Sequence, residues 1–126
     1  MSKRIAMTIT GLLALSTTAG AVTINTKRVQ PVAGGSVVCT ALNSSGKAIG
    51  ITAQIIDTAG GNVTDFISTD WLDEVQGILR SVRSESRNPD ASYCKVTVTA
   101  GRRSDVSVLI EVFDANGQRM SFAVPR

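Results

Sequence analysis

The sequence predicts an all-β fold, an antiparallel β-sandwich of seven or eight strands with room for one short helix. Three observations lead there. Short runs that alternate apolar and polar residues recur along the chain at roughly ten-residue spacing, the pattern of two packed sheets. Clusters of Gly, Asn, Asp and Ser separate these runs, as tight turns require. The only two cysteines, Cys39 and Cys94, each sit within an alternating run, placed to staple one sheet to the other.

The first residues read as a segment apart from that domain. Lys3 and Arg4 give a positive start, Ile5 to Leu15 is apolar apart from Thr8, Thr10 and Gly11, and Ala19-Gly20-Ala21 supplies the small residues a signal peptidase needs. Residues 1–21 are therefore expected to be a signal peptide cut after Ala21. A membrane anchor fits less well, because Ile5 to Ala21 is 17 residues long with five threonines or serines, whereas a bilayer-spanning helix needs about 20 mostly apolar residues. Val22 follows the cut and no cysteine lies near it, so no lipid anchor is expected. Residues 22–126 remain as a single domain with no integral membrane segment, exported to the periplasm or the medium of a bacterial host. The full chain carries +3, of which Lys3 and Arg4 supply two, leaving +1. That balance gives no support to nucleic-acid binding.

Export decides the state of the cysteines. Two thiols on an oxidising route pair by default, and closing the 55-residue loop between them is worth about 4 kcal/mol at most in the chain-entropy account. A zinc or copper site needs more ligands than two thiolates, and the chain has no histidine. No metal and no cofactor is expected.

Taken in order, Val22 to Val29 mixes β-branched and polar residues as an edge strand does, and Pro31 with Gly34-Gly35 ends it. Ser36 to Leu42 is a stronger strand, with Val37, Cys39 and Ala41 on one face and Val38, Thr40 and Leu42 on the other. After the turn residues Asn43 to Gly46, Ile49, Ile51, Ala53 and Ile55 alternate with Gly50, Thr52 and Gln54, which makes a half-buried strand. Asp57 to Asn62 turns the chain, and Val63 to Ile67 returns as a short strand. Tyr93 to Ala100 alternates strictly, Cys94, Val96 and Val98 inward and Lys95, Thr97 and Thr99 outward. Gly101 to Ser104 is an exposed connection. Val106, Val108, Ile110 and Val112 then mark a partner strand, and Asn116-Gly117 suits a hairpin turn into Arg119 to Val124.

Ser68 to Arg87 supports two readings. Trp71, Leu72, Val75, Ile78, Leu79 and Val82 fall on one side of a helix, with Asp73 and Glu74 in its first turn and Arg80 and Arg83 near its end. Against the helix stand Gly77 and the alternation of Ile78, Arg80 and Val82 with Leu79, Ser81 and Arg83.

The cysteine spacing and strand count resemble the immunoglobulin-like sandwich, in which the second and penultimate strands are bridged. The chain departs from the antibody-type pattern, since Tyr93 stands directly before Cys94 and Trp71 lies far from the strand after Cys39, so the resemblance implies architecture and no recognition loops. The runs SVVCTALN (Ser36 to Asn43), DTAGGNV (Asp57 to Val63) and ASYCKVTVTAG (Ala91 to Gly101) also look like those of small exported bacterial proteins of unknown function. That resemblance implies a β-sandwich and tips Gly77 to Ser84 towards strand. It implies no activity.

Without histidine, Ser-His-Asp and Cys-His catalysis is closed to this chain. A serine-lysine pair would have to use Lys27, Lys47 or Lys95, and Lys95 falls on an outward, solvated face. Asp70, Asp73 and Glu74 read as end caps in preference to a glycosidase pair. Asp57, Asn62 and Asp65 offer too few oxygens for calcium, and turn chemistry explains them. The two glycosylation-type triplets, Asn43-Ser44-Ser45 and Asn62-Val63-Thr64, read as turns as well. Arg80, Arg83, Arg87, Arg102 and Arg103 are balanced by Asp73, Glu74, Glu85 and Asp105. Arg102 and Arg103, in an exposed connection, are the candidate surface contact. The expected function is a non-enzymatic exported binding or accessory module of the cell envelope, with an envelope or extracellular partner. The alternative is a structural subunit that pairs edges through Val22 to Val29 and Arg119 to Val124. A histidine-free hydrolase has least in its favour.

Overall fold

A computed structural model describes residues 20–126. The expected signal peptide lies outside the described residues except for Gly20 and Ala21, and Ala21 already opens the first strand. Eight strands follow one another: β1 (Ala21–Asn25), β2 (Ser36–Asn43), β3 (Gly50–Asp57), β4 (Phe66–Asp73), β5 (Ile78–Ser86), β6 (Ala91–Thr99), β7 (Val106–Phe113) and β8 (Arg119–Ala123), with one short 3-10 turn at Arg103–Asp105. They form two antiparallel sheets, β1-β6-β3 and β4-β5-β2-β7-β8. No helix among the described residues is long and apolar enough to cross a membrane.

The period of two in the sequence becomes the core directly. Val37, Cys39 and Ala41 from β2, Ala53 and Ile55 from β3, Cys94, Val96 and Val98 from β6, and Val108, Ile110 and Val112 from β7 all meet between the sheets, fully or almost fully buried. Each valine or isoleucine among them contributes about 1.5–3 kcal/mol by leaving water. Cys39 and Cys94 are bridged across the layers with their Cα atoms 6.0 Å apart, so the covalent link runs from the middle of the larger sheet to the middle of the smaller.

The region with two readings is strand, turn and strand. β4 and β5 form a hairpin whose turn contains Gly77 at a φ of 70°, a left-handed conformation glycine adopts without steric penalty. Val75, expected on the buried side of a helix, is 96% exposed at that turn. The helical spacing has a local cause. Asp70 pairs with Ser81 while Trp71 pairs with Leu79, so Arg80 is an extra residue on β5 and shifts the alternation there. Leu79 and Val82 both point inward as a result, three apart, as they would on a helix.

Two further expectations need adjustment. The strand placed at Val63 to Ile67 begins only at Phe66, because Val63 and Thr64 are bonded to β3. The first strand ends at Asn25 and not at Val29. Thr26 continues it as a single bridge to Pro125.

The order β4-β5-β2, the pairing of β3 with β6 and a bridge from β2 to β6 are as in an immunoglobulin sandwich. The ends of the chain differ, since β7 lies beside β2 and β1 beside β6. An eighth strand follows β7, so the bridged β6 is third from last.

Candidate functional site

Two sheets of unequal width leave four edge strands, β1, β3, β4 and β8. An edge offers a row of unpaired N–H and C=O groups to any extended chain, and folded proteins block edges they do not use. The four edges here are treated very differently.

The β3 edge is sealed by the chain that leaves it and by the opposite sheet. The Val63 amide donates to the Ile55 carbonyl at 2.8 Å, and the Ile55 amide donates to Thr64 Oγ1 at 2.8 Å. Ser84 Oγ, reaching across from β5, donates to the Ala53 carbonyl at 2.6 Å. The β1 and β8 edges are joined to each other at one end, where β1 finishes and just past β8. Lys27 donates its amide to the Val124 carbonyl at 3.0 Å, and Arg126 donates to the Asn25 carbonyl at 3.2 Å. Arg103 Nη1 also reaches the Thr23 carbonyl at 3.4 Å. β8 is only five residues long, has Pro125 just beyond it, and begins with Arg119, which pairs with Glu111 at 3.2 Å and lies over the Phe122 ring. Charge, proline and short length are the usual means of closing an edge.

β4 lacks the outward bonds, the proline and the short length, and its own charges are the carboxylates of Asp70 and Asp73. It is eight residues long with neither proline nor a basic residue, and among the described residues no loop or side chain bonds its outward backbone groups. It also overhangs the smaller sheet, so both its faces are open. Phe66 is 58% exposed, Ile67 52%, Trp71 46% and Leu72 59%. Ile67, Thr69 and Trp71 share the inner face, because their partners Ser84, Val82 and Leu79 point into the sandwich. Phe66, Ser68 and Asp70 share the outer face. Leu72 is the bulged residue, skipped between the pairs Trp71 with Leu79 and Asp73 with Ile78, so the regular stretch is Phe66 to Trp71.

The residues singled out from sequence are dispersed in other tasks. Asp70 pairs with Arg80 at 3.6 Å, both exposed, and Asp73 Oδ1 accepts from the amides of Val75 and Gln76 in the hairpin turn. Asp57 Oδ1 accepts from the Ala59 and Gly61 amides, Asn62 Oδ1 from Thr64, and Asp65 Oδ2 from the Arg87 amide, so these oxygens hold turns in place of a cation. Lys95 is exposed, with Asn25 and Gln54 as its cross-strand neighbours. Arg102 and Arg103 flank the Asp105 turn, whose carboxylate accepts from the Arg102 amide at 2.8 Å. Arg87 lines a cleft of about 230 Å³ with Pro31 to Ser36, at the end of the sandwich away from Arg102 and Arg103, so the arginines do not converge. The bridge Cys39–Cys94 is fully buried.

The edge residues escaped the sequence reading. In the helical one of the two readings Trp71 and Leu72 fall on one side of a helix, and the edges expected for pairing, Val22 to Val29 and Arg119 to Val124, are the two tied to one another at one end. A dense apolar run (Phe66, Ile67, Trp71, Leu72) beside a glycine hairpin was the available signal. Comparison with protein-family models, with curated proteins and with solved structures finds no match.

Proposed function

We propose that this protein is an exported, non-enzymatic β-sandwich that binds another polypeptide of the cell envelope by strand addition along β4. The observation that carries the reading is the contrast among the edges: β3 is bonded, β1 and β8 are short and tied to each other at one end, and β4, as long as β3, has its outward backbone groups unbonded among the described residues. In strand addition the backbone ladder supplies affinity and alternate side chains supply selectivity. β4 offers both, with Ile67 and Trp71 on one face and Phe66 on the other. Export is supported by the charged, apolar and small-residue order of residues 1–21 together with the bridged cysteines.

A photo-crosslinking residue introduced at Ile67 and, as a control, at exposed Thr52 on the smaller sheet tests this in the native host. A defined adduct at Ile67 that is absent at Thr52 is the expected result. Equal labelling at both positions, or none at Ile67, would sink the reading. Amino-terminal sequencing of the exported form, expected to begin at Val22, tests the compartment separately.

A further inference from the structure

We infer that the strand added to β4 is β4 of a second copy, running antiparallel about a two-fold axis at Thr69. The inference rests on reading β4 as a binding edge and adds the identity of the partner.

The geometry of a coplanar pair restricts the choice. A two-fold axis normal to the sheet keeps each residue on its own face, so residues that meet must belong to the same face of β4. Centring the axis on Thr69 makes Ile67 meet Trp71 of the second copy and Ser68 meet Asp70, while Thr69 meets its own counterpart. Ile67 and Trp71, the large apolar side chains of the inner face, then face each other, the kind of cross-strand pair that stabilises sheets. Moving the axis to Asp70 sets two carboxylates against each other and leaves Ile67 opposite Asp73. Moving it to Ser68 sets Phe66 opposite Asp70 and Ile67 opposite Thr69. Of these three, the Thr69 axis sets Ile67 against Trp71 and keeps Asp70 from meeting itself, with Asp65 and Asp73 opposed only beyond the regular stretch.

Charge agrees with the same axis. Ser68 is paired with Arg83 within the hairpin, so the outer face of the joined sheets would read Arg83, Ser68, then Asp70 of the second copy. Arg83 and that carboxylate stand two strand spacings apart, about 10 Å. Serine is short enough to leave the way clear for the arginine to reach it. The two-fold repeats the contact. On the inner face, Ile67, Thr69 and Trp71 of both copies would floor a groove between the two smaller sheets.

Because Thr69 is its own partner, a charge placed there meets itself. In sedimentation velocity over a concentration series, the purified wild-type protein is expected to pass from monomer to dimer. Thr69→Lys and Thr69→Glu alone should each weaken the dimer at least tenfold, and an equimolar mixture of the two should restore it. Thr69 is exposed, so both variants should melt with the wild type. Thr69→Cys gives a second readout, a covalent dimer on mild oxidation. A wild-type monomer at every concentration, a dimer indifferent to Thr69→Lys, or failure of the mixture to recover would overturn the inference. If the wild type is monomeric and the Ile67 adduct contains a different protein, self-pairing fails while the binding edge stands. If Ile67 captures neither, both fail.

Discussion

Ser84 and Ala53 join the two layers: the serine hydroxyl, fully buried on the inner face of β5, donates at 2.6 Å to a carbonyl on the open side of β3. One side chain thus completes an edge of the smaller sheet and fixes its distance from the larger.

Ser84→Ala should lower unfolding free energy by about 1–3 kcal/mol, because it strands a buried acceptor. Urea titration of the variant checks this, with the midpoint expected to fall at unchanged slope. An unshifted midpoint would mean the carbonyl is satisfied some other way.

Breaking the bridge should be costlier. Cys39→Ala combined with Cys94→Ala releases a loop of 55 residues and should destabilise by up to about 4 kcal/mol. Either single serine variant adds a buried hydroxyl and leaves one thiol unpaired. Thermal melts with and without reductant should diverge by many degrees for the wild type and coincide for the double variant.

Two glycines should respond to alanine in opposite measure. Gly77 has a φ of 70° with open space around it, so Gly77→Ala should cost roughly 1 kcal/mol, the conformational penalty alone. A Cβ on Gly35 would collide with the Phe113 backbone carbonyl, and Gly35→Ala must displace β7 or its own turn. A larger loss of melting temperature for Gly35→Ala is expected. Equal losses would contradict the close approach.

The chain contains one tryptophan, and it lies on β4 with 46% of its surface exposed. Trp71 emission should be accessible to iodide in dilute solution. Quenching should fall as concentration rises if copies join along this edge, and should stay constant in Thr69→Lys. Concentration-independent quenching of the wild type would argue against burial of Trp71.

Much of the fold was legible because the alternation around Cys39, Ile51, Val96 and Val108 survives unbroken from sequence to core. The legibility stopped at β5, where the extra residue Arg80 puts Leu79 and Val82 three apart on the same face. A period of three in a short window cannot be told from a helix without knowing that a bulge intervenes. The edge was illegible for a different reason. Whether Phe66 and Trp71 are covered depends on how far the other sheet extends and which strand lies outermost, and both are set by pairings remote in sequence. Asp57 and Asn62 are legible as turn residues because Asx-type bonds are local, whereas Asp105, read only as a countercharge to the arginines, accepts from the Arg102 amide.

The tie between Lys27 and Val124, with its neighbour between Arg126 and Asn25, also sets an order of events. A chain made from its amino end carries Asn25 to Lys27 with no partners on that side until Val124 to Arg126 have been made, whereas the β4–β5 hairpin closes within itself. Closure between such distant segments is slow, on the order of milliseconds to seconds. Stopped-flow refolding should show β4–β5 docking, reported by Trp71, ahead of the final rise in stability, and loss of Val124 to Arg126 should remove the later phase while leaving the earlier one.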